Sequence, residues 1–453
     1  GGLGLLQTPP LDLKQVEVIK GSSSTLYGGG AIAGLVNLIS RTPRDHRDVR
    51  ILINGTSAGG LDLSGYYGER FGKVGVTLFT SRNSNSPYDP ADIDLTAIPK
   101  FERYSVNPKI FVDLNGRTDL DFGLNYTKED RIGGDIHVIQ GNADAVHSYY
   151  EQNNSERIST QLSFSHRLNR SVLLSLKNSF NRFDRVLRIP GYLFSGNQNS
   201  SFSEINFTRE GLRAEWIAGL NYWSDGFSED RLQASAVRDY IHHTFGAFIQ
   251  NTLVISSNVN LETGLRGDYV FDYGFALLPR LSLLYKASVK FSSRIGGGFG
   301  YKAPTIFTEE SERLLFRDVL PVSPEKNRLE KSYGANWDLN YRTELADIGF
   351  SINHLFFYTY LKNPLHLDPL ADGGYELINL DGFTDSKGTE TNIKLEFRDF
   401  KLFVGYTFTD TKIHADGLSV QNPLTSRHRL NNVLMYEVEE KWKVGLEAYY
   451  FSR

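Results

Sequence analysis

The chain contains 453 residues, among them 24 Tyr and 29 Phe against one Met and no Cys, and its formal net charge is −4. The lack of cysteine excludes thiol catalysis, thiolate metal sites and disulfides, and the small net charge gives no sign of a nucleic-acid partner. The aromatic-rich composition favours β-strands. Mean hydropathy is −0.33, and no apolar run reaches the roughly 20 residues that a transmembrane helix requires.

The first predicted elements are two strands joined by a glycine-rich turn, at residues 16–40, VEVIKGSSSTLYGGGAIAGLVNLIS. Gly28, Gly30 and Ala33 can be aligned with the G-x-G-x-x-A fingerprint of dinucleotide-binding proteins, which requires a βαβ unit around it. Here the chain continues through Arg41-Thr42-Pro43 into strand after strand. A phosphate site is therefore disfavoured, and the turn needs another explanation.

Beyond residue 45 the sequence alternates between apolar and polar residues with the two-residue period that predicts strands. In the clearest run, one face would carry Val289, Phe291, Ser293, Ile295, Gly297, Phe299 and Tyr301. The runs extend over about ten to fifteen residues, whereas strands of soluble proteins usually have five or six. Long strands with an apolar outer face, a polar inner face and aromatic ends are typical of a transmembrane barrel.

The same alternation predicts the direction of individual side chains. The residues predicted to face lipid include Trp216, Leu265, Phe291 and Ile295, and those predicted to face the lumen include Arg266, Lys290 and Arg294. An arginine on the lipid face near the membrane centre would cost about 2 to 4 kcal/mol, so the direction of Arg294 tests the assignment.

Predicted connections alternate between short turns and long loops, as in outer-membrane barrels. The short turns are at 115–117, 168–170, 209–211 and 398–399, and the long loops at 84–103, 130–153, 187–200, 224–239, 302–326 and 413–426. This parity disfavours a sandwich or propeller. The runs number about nineteen, whereas single-chain bacterial barrels have even strand numbers, and residue 1 opens inside a globular-looking segment without a signal peptide. We therefore expect a fragment trimmed at both ends.

Three short patterns follow one another in residues 16–38, V-E-V-x-K-G, Y-G and A-I-x-G-x-V-N-L. In this order they resemble the end of the plug domain of TonB-dependent outer-membrane receptors. Gly300-Tyr301-Lys302-Ala303-Pro304-Thr305, Pro324-Glu325-Lys326, Glu330 and Gly334 resemble the barrel signature of that family, and Gly388 with Glu390 resembles its later G-x-E element. The sequence departs from the family at Ser22, usually Pro, and at Lys20, more commonly Arg, which weakens a bidentate ion pair there.

The resemblance implies an all-β fold. It would be a large antiparallel transmembrane β-barrel, with about 19 of about 22 strands present, enclosing the C-terminal part of an N-terminal plug domain. Residues 1–45 would form this part of the plug and residues 46–453 the truncated barrel. Glu17 and Lys20 fall on opposite faces of one predicted strand, so one should point to the barrel wall and be paired there.

The function implied is that of an energy-coupled receptor in the outer membrane of a Gram-negative bacterium, which binds a scarce solute and imports it into the periplasm. A ferric siderophore is the leading ligand class. The alternatives are a cobalamin or haem receptor of the same fold, a receptor that imports a carbohydrate or peptide, and a passive plugged barrel that acts in binding or adhesion. The implied partners are the TonB–ExbB–ExbD complex, outer-membrane lipid and lipopolysaccharide, with a monomeric barrel. No cofactor, no nucleic acid and no enzymatic activity are expected.

The resemblance implies that the glycine turn is one of the plug apices that face the ligand. Gly28, Gly29 and Gly30 allow positive φ angles and leave a surface without side chains. A purely structural role, in which the glycines only permit the turn, is equally favoured. Aromatic rings supply contact area at low entropic cost. The predicted ligand-binding residues are therefore Tyr27, Gly28, Gly29, Gly30, Tyr149, Tyr150, Tyr192 and Phe194.

The metal candidates are weaker. Asp89, Asp92 and Asp94 share a predicted outer loop and have oxygen ligands suited to calcium, but their spacing is not that of an EF-hand and no bidentate Glu follows, so solvated carboxylates are favoured. Four histidines near predicted loops are candidates for haem or metal ligation, with a plain polar role favoured for each: His137, His147, His354 and His366.

Overall fold

The computed structural model describes residues 10–21, 24–31, 34–230, 237–415, 417–423, 425–438 and 441–452. Most of these residues lie in β-strands, as the alternating sequence predicts. Ser22 and Ala33 lie outside the described ranges. Within those ranges, no helix is long and apolar enough to cross a membrane.

Residues 10–40 form a small separate unit, here called the N-terminal unit. It consists of a 3-10 turn at Pro10–Asp12, β1 at Leu13–Lys20, a one-turn helix at Ser24–Tyr27 and β2 at Gly34–Ser40. β1 and β2 pair antiparallel, with Glu17 opposite Asn37, and form a two-stranded sheet of their own. The predicted strand, turn and strand are therefore present.

The other strands form one large antiparallel sheet and one short hairpin. The first half of the sheet comprises β3 (Asp48–Gly55), β4 (Gly60–Phe71), β5 (Val74–Asn85), β6 (Lys100–Asp113), β7 (Thr118–Gly134), β8 (Tyr150–Asn169), β9 (Val172–Ile189), β10 (Tyr192–Glu210), β11 (Ala214–Glu229) and β12 (Tyr240–Ser256). The second half comprises β13 (Val259–Val270), β14 (Gly274–Lys286), β15 (Phe291–Lys302), β16 (Glu330–Leu345), β17 (Ile348–Lys362), β20 (Gly382–Phe397), β21 (Phe400–Ala415), β22 (Leu418–Gln421), β23 (His428–Val438) and β24 (Trp442–Phe451). The hairpin consists of β18 (Leu365–Pro369) and β19 (Tyr375–Asn379), and one-turn helices lie at Ile136–Gln140 and Glu309–Arg313.

The large sheet curls into a barrel wall, in which the strand order brings β24 next to β3. β22 pairs with the outer end of β21 and β23 with its inner part, so these two strands share one position. The twenty strands of the described wall therefore occupy nineteen positions, as predicted. All ten residues of β24 are exposed.

Exposure of the wall residues confirms most of the predicted directions. Trp216, Leu265 and Ile295 are about half exposed, as residues of the outer surface. Arg266 is only 3% exposed and donates to the Thr25 carbonyl of the N-terminal unit. The residues tested on β11, β13 and β15 therefore face outward or inward as the sequence predicts.

Three other residues of this region give a mixed result. Arg294 lines an interior cavity together with Lys20, which confirms its predicted direction. Phe291 is half-buried. Lys290 lies at the short-turn rim, where it donates to Thr343 at 3.1 Å, and its direction stays a prediction.

The outer end of β15 departs from strict alternation. Tyr301, predicted to share the lipid face with Phe299, is instead buried, and its hydroxyl donates to Asp268 at 2.9 Å. The register between β14 and β15 ends at Gly298, and the glycines at 296–298 and 300 have no side chains to maintain the alternation. The predicted direction of Tyr301 is therefore wrong.

The strands also extend further outward than predicted. Residues 187–200 are not a long loop, because β9 and β10 continue to pair until only Pro190 and Gly191 separate them. Residues 413–426 contain β22, and the β18–β19 hairpin occupies a long connection that the sequence analysis does not predict. The long connections β5–β6, β7–β8, β11–β12 and β15–β16 agree with prediction.

A hydrophobic cluster at the long-loop end explains this extension. The cluster, here called the outer cluster, consists of Leu187, Phe194, Phe227, Ile306, Phe316, Val319, Leu367 and Leu377. Its residues come from β9, β10, β11, the β15–β16 connection and the β18–β19 hairpin. The outer part of the protein is therefore a packed structure with a core of its own.

Replacing Ile295 by arginine tests the lipid face directly. We expect a loss of about 2 to 4 kcal/mol in the free energy of unfolding, because the charge would enter the hydrocarbon near the middle of the strand. Ser292→Arg is the matched control, since Ser292 lines the interior cavity beside Lys20 and a new charge there remains hydrated. Urea unfolding in lipid vesicles measures both, and equal losses would contradict the register.

Candidate functional site

The N-terminal unit lies inside the barrel. Asp12 accepts a hydrogen bond from Asn107 of β6 at 3.1 Å, and the Lys109 ammonium of the same strand donates to Ser40 at 2.6 Å. Lys20 contacts Glu390 of β20 at 2.5 Å. β6 and β20 are far apart in the strand order, so the unit bridges the lumen rather than packing beside the wall.

Of Glu17 and Lys20, it is Lys20 that faces the barrel wall. Lys20 pairs with the barrel carboxylate, whereas Glu17 stays within the N-terminal unit and accepts from Asn37 at 3.0 Å and Gln15 at 2.7 Å. The predicted paired charge is thus confirmed. Glu390 belongs to the G-x-E element that resembles the family pattern. This element therefore supplies a contact between the barrel wall and the N-terminal unit.

The glycine turn is held against the barrel through its backbone. Gly28 adopts a φ of +84°, which favours glycine. The Tyr301 amide donates to the Gly29 carbonyl at 3.0 Å, and a Cβ on Gly29 would lie 2.2 Å from the Tyr301 ring. A Cβ on Gly30 would meet no atom within 4 Å. Of the three turn glycines, Gly29 is therefore the one that close contact with the barrel requires to be glycine.

A buried polar cluster supports this turn. Arg266 forms an ion pair with Asp268 at 2.8 Å, and it donates to Asn221 at 2.9 Å and to the Thr25 carbonyl at 3.4 Å. The Tyr301 hydroxyl also donates to Asp268. A Cβ at position 246 or 264 of the barrel would collide with this cluster or with Thr25. The glycines of β12 and β13 thus make room for the contact.

Two cavities follow each other along the wall beside the glycine turn. The inner cavity has a volume of about 290 Å³ and is lined by Tyr27, Gly28, Gly29, Asn221, Trp223, Arg266, Asp268, Tyr301 and polar residues of β9, β10 and β12. The second cavity, here called the vestibule, has a volume of about 780 Å³. On β11, Asp225 and Phe227 line the vestibule and Asn221 and Trp223 the inner cavity. The vestibule therefore lies closer to the long loops.

The vestibule combines aromatic rings with charges of both signs. Its lining includes Arg157, Phe183, Arg185, Phe194, Gln198, Asp225, Phe227, Tyr240, Phe307, Glu309 and Glu312. The Arg157 guanidinium lies 4.6 Å from the centre of the Phe183 ring. Arg185 makes two hydrogen bonds to Glu312, at 2.6 and 3.2 Å. Fixed rings and oriented polar groups of this kind suit an organic ligand that carries polar substituents.

The predicted ligand-binding residues are only partly brought together. Tyr27, Gly28 and Gly29 line the inner cavity. Gly30 is exposed at the turn. Phe194 borders the vestibule but is 1% exposed and belongs to the outer cluster, against which Tyr192 packs. Both residues lie on β10 rather than on a loop, and packing between hydrophobic residues accounts for their position.

Tyr149 and Tyr150 lie elsewhere, at the boundary between the β7–β8 loop and β8. The Tyr149 carbonyl accepts from the Asp135 amide at 2.9 Å, and Tyr150 pairs with Gly134. Neither residue lines the inner cavity or the vestibule. Their role in ligand binding stays a prediction.

The calcium candidates have separate environments. The Asp89 carboxylate accepts from the amides of Ala91, Ile93 and Asp94 at 2.8 to 3.1 Å. It therefore closes its own loop. Asp92 and Asp94 both adopt positive φ angles and are exposed. Calcium binding by these three residues stays a prediction.

Apart from Phe194, the residues that line the vestibule are not among the predicted ligand-binding residues. Gln198 lies within the predicted 187–200 loop, which the structure shows as part of β9 and β10, whereas Arg157, Phe183, Arg185 and Tyr240 lie in predicted strands next to the predicted long loops. The sequence does indicate that Phe183 and Arg185 face the lumen, because the alternation of lumen-facing residues in β9 continues through them to Leu187. Following this parity to the end of the predicted strand would have placed Phe183 and Arg185 inside the barrel.

Comparison with known proteins agrees with this architecture. Residues 106–453 match the family model described as TonB dependent receptor-like, beta-barrel, and residues 1–35 match the TonB-dependent Receptor Plug Domain. The ferrioxamine receptor of Yersinia enterocolitica is 29% identical over 135 residues, which span 28% of this chain and 17% of that receptor.

Solved structures show the same fold. The siderophore receptor PirA from Acinetobacter baumannii has a TM-score of 0.76 at 14% identity, with 96% of this chain and 72% of that chain covered. The ferric enterobactin receptor mutant R480A from Pseudomonas aeruginosa, in complex with enterobactin, has a TM-score of 0.74 at 14% identity, with 97% and 74% covered. The family model covers most of the barrel, and the proteins of this family are outer-membrane transport receptors and not enzymes. The chain therefore belongs to the TonB-dependent receptor family.

Proposed function

We propose that the protein is an energy-coupled receptor of the Gram-negative outer membrane, which captures a ferric siderophore in the vestibule and imports it into the periplasm. The observation that carries this proposal is the position of the vestibule. It lies on the long-loop side of the inner cavity, which the glycine turn borders, so a ligand bound there would lie between the outer loops and the N-terminal unit. The siderophore receptors of the same fold support the ligand class.

The size and chemistry of the vestibule support a siderophore over the alternatives. Its volume of about 780 Å³ falls in the range of about 300 to 1,000 Å³ that is usual for small-molecule sites. Cobalamin, with its corrin ring and nucleotide loop, is bulkier than most siderophores. Haem iron would be coordinated by a residue such as histidine or tyrosine. Tyr240 is the one such residue of the described vestibule lining. Its hydroxyl donates a hydrogen bond to Asp225 at 3.2 Å, and this engagement disfavours haem as the ligand.

The charges of the vestibule further favour a ferric complex of low net charge. Two arginines, Arg157 and Arg185, stand with three carboxylates, Asp225, Glu309 and Glu312. A strongly anionic tris-catecholate complex would meet as much repulsion as attraction there. A hydroxamate complex carries less charge and still has apolar chains that can pack on Phe183 and Phe307. We therefore expect ferric hydroxamates to bind more tightly than ferric tris-catecholates.

Transport requires the N-terminal unit to move. In this proposal residues 1–45 are the C-terminal part of the plug, residues 46–453 are the barrel, and the TonB–ExbB–ExbD complex supplies the energy. The few charged contacts of the plug, such as Lys20 with Glu390, would be broken during import. A passive binding or adhesion barrel would instead bind ligand but show no uptake that depends on the proton gradient. Accumulation of ⁵⁵Fe-siderophore with and without a protonophore separates the two functions.

Phe183→Ala tests the vestibule as the binding site. We expect the affinity for the ferric siderophore to fall by about 1 to 3 kcal/mol, the range for loss of a central aromatic contact. Phe180→Ala is the matched control, because Phe180 lies on the same strand but is exposed on the outer surface. Titration of purified receptor with ferric hydroxamate, ferric tris-catecholate, haem and cyanocobalamin gives the affinities and identifies the ligand class.

Tyr150→Ala, measured in the same titrations, tests the loop prediction. A loss of affinity for this variant, with Phe183→Ala unchanged, would move the ligand out of the vestibule to the β7–β8 loop. Equal affinities for all variants and wild type, with folding confirmed by heat-modifiable migration, would contradict both positions.

A further inference from the structure

Two outer loops bring together a group of metal-ligating side chains away from the vestibule. Asp94 lies in the β5–β6 loop, and His137 and His147 lie in the β7–β8 loop. One ligand atom of each of these residues lies within 4.8 Å of those of the other two. The two imidazole rings are 4.2 Å apart between centroids. Two imidazoles and one carboxylate are a common ligand set for divalent transition metals.

Backbone hydrogen bonds hold the two loops in this arrangement. The Ile136 amide donates to the Asp94 carbonyl at 2.9 Å, and Thr96 donates to the Gly134 carbonyl at 2.9 Å. Leu95 and Asp135 form an antiparallel bridge between these contacts. Asp94 is also fixed from its own loop, because its amide donates to the Asp89 carboxylate. The carboxylate of Asp94 is therefore placed next to the histidines by the fold.

Asp135 orients both histidines. Its side chain caps the helix Ile136–Gln140 by accepting from the His137 amide at 2.8 Å. Its two oxygens lie 3.2 Å from His137 Nδ1 and 2.9 Å from His147 Nδ1, and Asp135 is itself buried. With Nδ1–H donated to this carboxylate, each ring keeps its Nε2 lone pair for a metal. A carboxylate behind the ligating imidazole is the usual support of a histidine metal site.

The His147 side of the group is equally well built. The Asp144 carboxylate accepts from the amides of Val146 and His147, both at 2.8 Å, and the Asn142 amide donates to the His137 carbonyl at 2.7 Å. The loop is thus closed on itself at both ends by hydrogen bonds.

We infer that Asp94, His137 and His147 form a binding site for a divalent first-row transition metal such as Zn²⁺, with Asp135 as the positioning residue of both histidines. Imidazole nitrogens distinguish this site from one for calcium, which takes oxygen ligands. Bound metal would join the β5–β6 and β7–β8 loops, and water would occupy the remaining coordination positions. The site stands independently of which solute the receptor imports.

Metal titration of the purified full chain in detergent tests the inference. We expect one Zn²⁺ per chain by calorimetry, and Co²⁺ absorption bands in the visible that Zn²⁺ abolishes. His147→Ala and Asp94→Asn should each lower the Zn²⁺ affinity at least tenfold, and Asp135→Asn should lower it about 10- to 100-fold, as for other supporting carboxylates. Asp94→Asn preserves shape, and asparagine tolerates the positive φ of this position, so it guards against a folding defect in the histidine variant.

His366→Ala is the matched control. His366 also forms a pair with a carboxylate, at 3.0 Å from Glu310, in another outer connection and with similar exposure, but this pair has a single imidazole. The control should bind Zn²⁺ as wild type does. Wild-type affinity in both His147→Ala and Asp94→Asn, or the same loss of affinity in His366→Ala, would overturn the inference.

Discussion

Replacing Gly29 by alanine is expected to displace the glycine turn from its contact with Tyr301 of the barrel wall. The new Cβ would lie 2.2 Å from the Tyr301 ring, which is itself held by its hydrogen bond to Asp268. Overpacking of this kind costs about 1 to 3 kcal/mol. Because the turn contacts the wall beside the inner cavity, we expect cells that carry this variant to lose ligand uptake and to admit a large antibiotic that the wild-type protein excludes.

Gly30→Ala provides the control one residue away. A Cβ there has open space around it, so uptake and antibiotic exclusion should match wild type. Heat-modifiable migration shows whether both barrels are folded. If Gly29→Ala excludes the antibiotic as well as Gly30→Ala does, the contact between the turn and Tyr301 is not what closes the lumen.

Replacing Asp268 by asparagine is expected to give the largest loss of stability. The pair of Arg266 and Asp268 has side-chain exposures of only 4% and 1%, so the variant would leave a buried guanidinium without its counter-charge. Breaking a buried ion pair in this way costs about 3 to 5 kcal/mol. The loss should appear in the free energy of unfolding in urea, and also as weaker protection of the N-terminal unit against protease.

Asp184→Asn is the matched exposed pair. Arg182 makes two hydrogen bonds to Asp184, at 2.9 and 3.0 Å, but the side-chain exposures are 51% and 43%. Ion pairs of this kind contribute about 0 to 1 kcal/mol. Comparable losses in the two variants would show that the cluster around Arg266 is hydrated and does not anchor the turn.

Much of the fold was predictable because a barrel wall obeys a two-residue period. The directions of Leu265, Ile295 and Arg266 and the number of wall positions follow from that period. It fails at Tyr301, where consecutive glycines remove the side chains that record it. It also misplaces the ends of β9 and β10, because apolar residues such as Leu187 and Phe194 are buried by the outer cluster and not by lipid, and a sequence pattern does not distinguish these environments.

The candidate site was less predictable, since it is made by contacts between distant segments. The pairing of Lys20 with a wall carboxylate could be predicted because a charge enclosed by a barrel must be compensated. Its partner Glu390 could be suggested only by the resemblance. The meeting of Asp94 with His137 and His147 depends on loop hydrogen bonds to Asp135, and spacing in the sequence carries no record of them.

The outer cluster has a consequence for how the protein is assembled. Leu187 and Phe194 pack in the same cluster as Leu377 of the β18–β19 hairpin, which lies far from them in the sequence. The outer end of the barrel therefore depends on contacts of high sequence separation, and such contacts form slowly. A chain delivered to the envelope only as far as β15 would hold Leu187, Phe194 and Phe227 uncovered in water. Such an intermediate is prone to aggregate, so these side chains are protected from water only once the hairpin is in place.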